Sequence, residues 1–332
     1  MIINKERINM SNQEDRTSAQ NLKRIKKGDF ASFYTCLYIS NMCINDCPYC
    51  GYQRGNSSIN RITLKPEEIR AEAIAIKKSG VSNAIIIGGS QASKKEFRLM
   101  MLGVEIAASE GVTPWVEADN LTLEELCELR KLGSNHFVLF QETYDRKAYE
   151  SIHKNCPSKK SYDNRLMQVE LAVEAGFKNI GIGALFGLTH DYLFEALALY
   201  HHAKHLQSKG VDVCISCPTI KAAPGVNLEE WHVPKDEELQ GIYTALRLAL
   251  PSASLALSSR ESINLRNILF SIVDQIGTGG APNPGGRSTH RLEYQSGETQ
   301  FQLQDTRSPA EIRKVLNTKG ITVVDKLSWG MN

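Results

Sequence analysis

The sequence predicts a single (β/α)8 barrel of TIM type with short N- and C-terminal extensions. Three observations lead there. Eight short apolar runs with strand character fall at 33–40, 83–87, 113–117, 136–141, 178–183, 211–216, 253–258 and 272–277. Helical patterns separate them, and short strands alternating with helices favour a parallel α/β sheet. The 332 residues, 42% hydrophobic and 23% charged, suit one barrel of about 250 residues with trimmings. Eight strands favour closure over an open doubly wound sheet.

In chain order, residues 1–30 are polar and read as a peripheral extension, 31–280 as the barrel, and 281–332 as a C-terminal loop and capping segment packed on it. The first run ends at a group of cysteines. "TLKPEEIRAEAIAIKKSG", from Thr63, has a proline and paired glutamates at its front and Lys-Lys-Ser-Gly at its back, the start and stop marks of a helix. "NAIIIGG" reads as a buried parallel strand running into a turn. "TLEELCELRKLG" from Thr122 is the next helix and "HFVLF" from His136 the next strand. Helices at 163–175, 191–209 and 236–248 then alternate with the strands "NIGIGA", "DVCIS" and "ASLALS". Beyond Gly277, "GTGGAPNPGGRS" is irregular.

Composition narrows the function. Formal charge is +2 with basic residues spread along the chain, so there is no electrostatic footprint for nucleic acid or an anionic membrane. The longest apolar runs, such as "AIII" and "LALY", fall far short of the roughly 20 residues of a membrane span. The opening "MIINKERINMSNQEDR" is too polar for a secretory signal, and we expect a cytoplasmic protein. Eight cysteines in such a chain suit reduced thiolate ligands better than a disulfide scaffold.

The stretch "NMCINDCPYCGY" sets Cys43, Cys47 and Cys50 in a C-x3-C-x2-C run. Three thiolates on one loop can hold three irons of a [4Fe-4S] cube, leaving the fourth iron open to a bidentate small molecule. A structural zinc loop is the alternative, and it needs a fourth ligand from a remote Cys or His. The spacing, with Tyr49 before the last cysteine, resembles that of radical S-adenosylmethionine (SAM) enzymes. The stretches "LYISNMCINDCPYCGYQRGN", "LFQETYDRKAYESIH", "GIGALFGLTHDYLFEALALYHHAKHL", "SSRESINLRNIL" and "TRSPAEIRKVL" extend the likeness. They resemble the group containing biotin synthase, the 2-iminoacetate synthase of thiamine biosynthesis and the tyrosine-cleaving maturase of [FeFe]-hydrogenase.

That resemblance implies a cluster on Cys43, Cys47 and Cys50 whose open iron takes the amino and carboxylate groups of SAM, with Tyr49 beside the adenine. It implies SAM contacts at Gly88, Gly89, Ser90 and Gln91, at Glu142 for the ribose or methionyl part, and at Arg165 for the carboxylate. Ser90 and Gln91 stand where relatives often carry Gly-Glu. Tyrosine-cleaving relatives follow the equivalent of Pro218 with arginine; here Thr219 follows, and Lys221 is the nearest cation. No cysteine follows Cys217, so we expect none of the C-terminal cluster chemistry of the hydrogenase maturase.

His190 and Tyr192, just after the fifth strand, are expected to touch substrate, and Asn283 and Arg287 to close over it from the glycine-rich loop. Cys36 and Cys127 read as core residues, and "YHHAKH" at 200–205 as a helix surface without zinc. Cys156, Cys214 and Cys217 form a candidate auxiliary-cluster set, although strand alternation sends Cys214 and Cys217 to different faces unless the chain bends. The leading reading is reductive cleavage of SAM to a 5′-deoxyadenosyl radical that takes hydrogen from a small biosynthetic substrate, in lyase or rearrangement chemistry. Its alternatives are a sulfur-inserting synthase using the auxiliary cluster and a non-catalytic iron–sulfur scaffold. A low-potential electron donor such as flavodoxin or ferredoxin is the expected partner, with a protein-bound substrate as the alternative to a small molecule.

Overall fold

The structure, a computed structural model, describes residues 13–90, 94–288 and 299–330. Helix α1 (Gln13–Lys27) precedes strand β1 (Phe30–Ser40). There follow α2 (Pro66–Lys78), β2 (Asn83–Gly88), α3 (Lys94–Ser109), β3 (Thr113–Glu117), α4 (Leu123–Lys131) and β4 (His136–Glu142). The second half runs α5 (Arg146–Ile152), α6 (Tyr162–Glu174), β5 (Asn179–Ala184), α7 (Tyr192–Ser208), β6 (Asp212–Ser216), α8 (Asp236–Ala249), β7 (Ser254–Leu257), α9 (Ile263–Leu269) and β8 (Gln275–Gly277). Helix α10 (Pro309–Thr318) and strand β9 (Thr322–Val324) complete it.

Strands β1 to β8 pair in sequence order, all parallel. β1 closes the ring by pairing with β2 (Tyr34↔Asn83) and with β8 (Ser32↔Gln275). The expected closed barrel is present. β9 adds a ninth strand beside the start of β1 (Phe30↔Thr322), at the end opposite the cysteine loop. The last barrel strand is shorter than the sequence predicts. Residues 272–274 instead form the approach to β8, where Asp274 serves as a junction.

The helices start where local chemistry satisfies their free N–H groups. Glu68 accepts from the Lys65 N–H at 2.8 Å ahead of α2, and Asp191 accepts from the Phe194 N–H at 2.9 Å at the front of α7. Most strand residues are buried on both faces, as a parallel sheet covered by helices requires. The layer between strands and helices forms the main core, while Tyr34, Trp115, Val138, Cys214, Ala256 and Trp329 fill the barrel interior. Trp329 packs edge-on against Trp115 with ring centres 4.8 Å apart and plugs the floor.

Residues 1–12 of the expected extension lie outside the described residues, and 13–30 are less peripheral than their polarity suggests. α1 buries Lys23 and Lys27, whose ammonium groups reach the carbonyls of Phe30 (2.7 Å) and Trp329 (3.1 Å). Their stems cover apolar surface while their heads satisfy backbone acceptors.

A buried ion pair ties α8 to the entrance of β8. Arg247 and Asp274 are fully enclosed and bonded to each other. Arg247 also donates to the carbonyls of Ile272 (3.0 Å) and Ala253 (2.9 Å), and Asp274 accepts from the Leu255 N–H at 2.9 Å. Asp274→Ala would leave the guanidinium enclosed and unpaired. It is expected to destabilise the barrel by about 3–5 kcal/mol, measured by urea or thermal unfolding.

Candidate active site

The loop after β1 carries Cys43, Cys47 and Cys50, and backbone-directed hydrogen bonds fix its path. Asn41 spans to residues 60–62, donating to the Asn60 carbonyl (2.7 Å) and accepting from the Ile62 N–H (2.6 Å). Arg61 reaches back to the carbonyls of Asn41 (2.9 Å), Tyr52 (3.0 Å) and Gln53 (2.5 Å), at both ends of the loop. The turn after β2 supports it from below. Ile44 N–H donates to Ser90 O at 2.9 Å, and a Cβ on Gly89 would sit 2.2 Å from Met42 O, so no other residue fits.

One cavity at the C-terminal mouth of the barrel is lined by all three loop cysteines, Tyr49, Gly88, Gly89, Ser90, Glu142 and Arg165. Gln91 lies outside the described residues. A β-bulge between Phe140 and Glu142, with Glu142 in the left-handed region at φ +71°, turns that side chain into the cavity. Glu142 pairs with Lys159 (2.5 Å) and Arg165 (3.1 Å), and Arg165 also with Asp119 (2.9 Å). Burial by itself would raise the Glu142 carboxyl, but the two cations outweigh it and hold it down at about 2. Arg165 donates from Nε to Phe140 O (2.8 Å) and once from each terminal nitrogen, which leaves two of its five N–H donors for a ligand. Tyr49 hydroxyl lies 2.8 Å from His153 Nε2 and 3.2 Å from Lys159 Nζ, so its ring is held from behind.

The donor set, three cysteines of one loop lining one cavity, suits an iron–sulfur cube. Among the described residues no three Cys, His, Asp or Glu side chains converge as ligands of one ion must. Thiolates of a cube bind separate irons and stand further apart. Burial and the neighbouring sulfurs raise the Cys50 thiol to about 12 and raise Cys43 as well. Cys47 is lowered to about 7, first by its contact with Cys156, with burial opposing and Lys159 assisting. Bound cationic metal would favour all three as thiolates.

Several expected contacts do not reach this cavity. His190 and Tyr192 lie against His232 on the outer side, with Tyr192 hydroxyl donating to His232 O at 2.5 Å. Thr219 and Lys221 are taken by buried Glu261, which accepts from Thr219 Oγ1 at 2.8 Å and pairs with Lys221 at 3.3 Å. Arg287 bonds to Glu72, Thr35 and the Gly279 carbonyl, joining the loop after β8 to α2, and Asn283 is packed against Gly286 in the same loop. Nearness to a strand end, for His190, Tyr192, Asn283 and Arg287, and alignment with a relative's arginine, for Thr219 and Lys221, do not specify the direction of a side chain.

The expected auxiliary-cluster cysteines lie in different packing groups: Cys214 in the barrel interior, Cys217 in the outer core, and Cys156 in a third apolar cluster with Cys47 and Tyr49.

Other lining residues had escaped assignment: Cys36, Glu117, Asp119, Lys159 and Arg260. Cys36 belongs to the cavity wall rather than to a remote part of the strand. Arg260 follows β7 on the catalytic side, and its position after a strand end was the available signal. Its guanidinium lies over the Phe301 ring at 3.4 Å, and no carboxylate among the described residues pairs with it.

A parallel barrel with a thiol loop after its first strand, open to a charged cavity at the C-terminal mouth, defines an enzyme class that works on ligands held above the strand ends. The chain matches the Radical SAM superfamily over residues 37–200 and the Biotin and Thiamin Synthesis associated domain over residues 216–322. It belongs to the radical SAM superfamily. It is 29% identical over 316 residues to the 2-iminoacetate synthase of Salmonella typhimurium, covering 94% of this chain and 82% of that one. The HydG [FeFe]-hydrogenase maturase structure from Carboxydothermus hydrogenoformans superposes with a TM-score of 0.85 at 34% identity, over 94% of this chain and 71% of that one. Another HydG crystal structure gives a TM-score of 0.88 at 28% identity, over 96% and 71%. The radical SAM superfamily implies a [4Fe-4S] cluster and SAM. No described helix is long and apolar enough to cross a membrane.

Glu117 supplies a pH test of this geometry. It is half-buried on the cavity wall without an ion pair among the described residues, and burial followed by repulsion from Glu142 raises its carboxyl to about 7. A raised carboxyl favours folding below its unfolded value and loses that contribution as pH rises through about 7. Glu117→Gln is therefore expected to melt a few degrees above wild type at pH 8, with the advantage fading toward pH 5. Melting curves of the metal-free protein across this range check it.

Proposed function

We propose that this radical SAM enzyme carries out lyase or rearrangement chemistry on a small, carboxylate-bearing precursor in cofactor biosynthesis. The observation that supports it is a single cavity lined by Cys43, Cys47 and Cys50 on one side and by Arg260 on another. In this reading the three cysteines hold the [4Fe-4S] cluster. When bound, the cluster supplies the electron for reductive cleavage of SAM, whose 5′-deoxyadenosyl radical takes a hydrogen from substrate.

The chain's own residues orient and shield. Gly88, Gly89 and Ser90 offer backbone groups at close approach, and Glu142, held down by Lys159 and Arg165, presents an ionised acceptor for the ribose or amino group of SAM. Arg165, anchored on Phe140 O and Asp119, offers its spare N–H donors to the SAM carboxylate. Tyr49 covers the adenine side. The enclosed barrel top excludes water and sets reacting atoms in near-attack geometry. Arg260, free of any carboxylate among the described residues and stiffened by Phe301, takes the substrate carboxylate. Neither Thr219 nor Lys221 replaces the arginine of tyrosine-cleaving relatives, because Glu261 holds both. Because Thr219 stands where tyrosine-cleaving relatives carry arginine, the reading favours a substrate other than tyrosine. A flavodoxin- or ferredoxin-type donor and a cytoplasmic location, where thiols stay reduced, complete the reading.

Anaerobic reconstitution tests it. The Cys43/Cys47/Cys50 triple alanine variant is expected to lose the SAM-perturbed electron paramagnetic resonance signal, and its retention would sink the ligand assignment. Glu142→Gln is expected to weaken SAM binding on the order of tenfold in equilibrium titration. An intact cluster without SAM cleavage would favour the scaffold reading. Tyrosine is expected to yield no p-cresol, and its appearance would return the protein to the tyrosine lyases.

A further inference from the structure

Cys156 is a buried thiol that the proposed chemistry does not use, and it touches a cysteine that the chemistry does. Its sulfur lies 3.5 Å from Cys47 Sγ, the only sulfur–sulfur hydrogen-bond contact among the described residues. Three links hold the two segments together. Asn45, two residues before Cys47, donates to Ser158 Oγ at 2.5 Å and accepts from the Ser158 N–H at 3.1 Å, two residues after Cys156. Tyr49, two residues after Cys47, is bonded to His153 at 2.8 Å and to Lys159 at 3.2 Å. The backbone around each thiol is thus clipped to the other, and the sulfur contact is built into the fold.

The two thiols are placed unequally. Cys47 lines the cavity, whereas Cys156 packs with Leu188 and Ile220 and does not line it. A small oxidant entering the cavity reaches Cys47 before Cys156, which is already in contact to resolve the product. A cavity-lining thiol beside a resolving cysteine is the arrangement that diverts oxidation into a reversible disulfide. The sulfurs need to close from 3.5 Å to the bonding distance of about 2.05 Å.

We propose that Cys47 and Cys156 form a reversible disulfide when the cluster is absent, a redox gate that protects the ligand loop and blocks cluster loading until it is reduced. With hydrogen peroxide the reaction runs in two balanced steps. Cys47 sulfur attacks the peroxide, the O–O bond breaks, and sulfenic acid and water form. Cys156 sulfur then displaces water from the sulfenic acid, giving the S–S bond; two thiols have lost two electrons and two protons, and one peroxide has become two waters. A dithiol reverses it by exchange. The bound cluster and the disulfide exclude each other because both consume Cys47. The gating part rests on the ligand assignment above; the disulfide itself does not.

The test uses the full chain freed of iron and treated with a small excess of hydrogen peroxide. Non-reducing peptide mapping by mass spectrometry is expected to find Cys47 joined to Cys156. A dominant Cys43–Cys47 or Cys47–Cys50 bridge overturns the proposal. Oxidised wild type is expected to take up at least tenfold less iron and sulfide than protein treated afterwards with dithiothreitol. Cys156→Ser and Cys156→Ala, both checked for folding by circular dichroism, are expected to accumulate sulfinic acid at Cys47 that dithiothreitol cannot reverse. Full recovery in both variants overturns the protective role. If Cys47→Ser still loads a complete cluster while wild type forms the bridge, the ligand assignment fails and the disulfide stands.

Discussion

The site depends on β1 being held on both sides at once. Its pairing with β2 and with β8 closes the ring, and its last residues deliver the chain directly into the cysteine loop. A loop of three thiols has little internal regularity with which to specify a shape. Its geometry is borrowed from the strand before it, from Arg61 bonded across its ends, and from the Gly89 turn beneath it. Closure thus converts a short motif into a wall of the cavity.

Charge is the second constraint. The cavity gathers Glu142, Asp119, Lys159 and Arg165 in a volume where an unmatched charge would be costly. They balance as two anions and two cations, and the pairs cross between the end of β4, the loop after β3, the short turn at 157–159 and the start of α6. Each partner fixes another, so Glu142 stays ionised despite its burial and its backbone holds a left-handed conformation. Glu117 and Arg260 stand apart from this balance. Their lack of an ion-pair partner among the described residues fits groups that meet a ligand rather than one another.

The segment around Cys156 shows how the same packing that shapes the site creates a second capacity. The links from Asn45 to Ser158 and from Tyr49 to His153 and Lys159 orient Lys159 toward Glu142 and Tyr49 toward the cavity. They also bring a thiol against Cys47. Positioning and redox exposure are two consequences of one contact between loops.

Much was legible from local pattern. Period and punctuation located the eight strands and their order, because each parallel strand is a continuous apolar run bounded by helix caps. The C-x3-C-x2-C spacing declared the chemistry, since ligands for one cluster can lie within a single loop. Resemblance to known stretches pointed to Glu142 and Arg165, and both line the cavity. Directions of side chains beyond the strand ends were not legible. His190, Tyr192, Thr219, Lys221 and Arg287 all lie near the correct end in sequence, yet Glu261, Glu72 and His232 draw them away from the cavity. Lys159, Arg260 and the Cys47–Cys156 contact come from segments distant in the chain, brought together by barrel closure alone. Local periodicity and ligand spacing are properties of neighbouring residues and are written in the sequence. Pairing of charges and thiols across loops depends on the ring's geometry, and only the tertiary structure decided it.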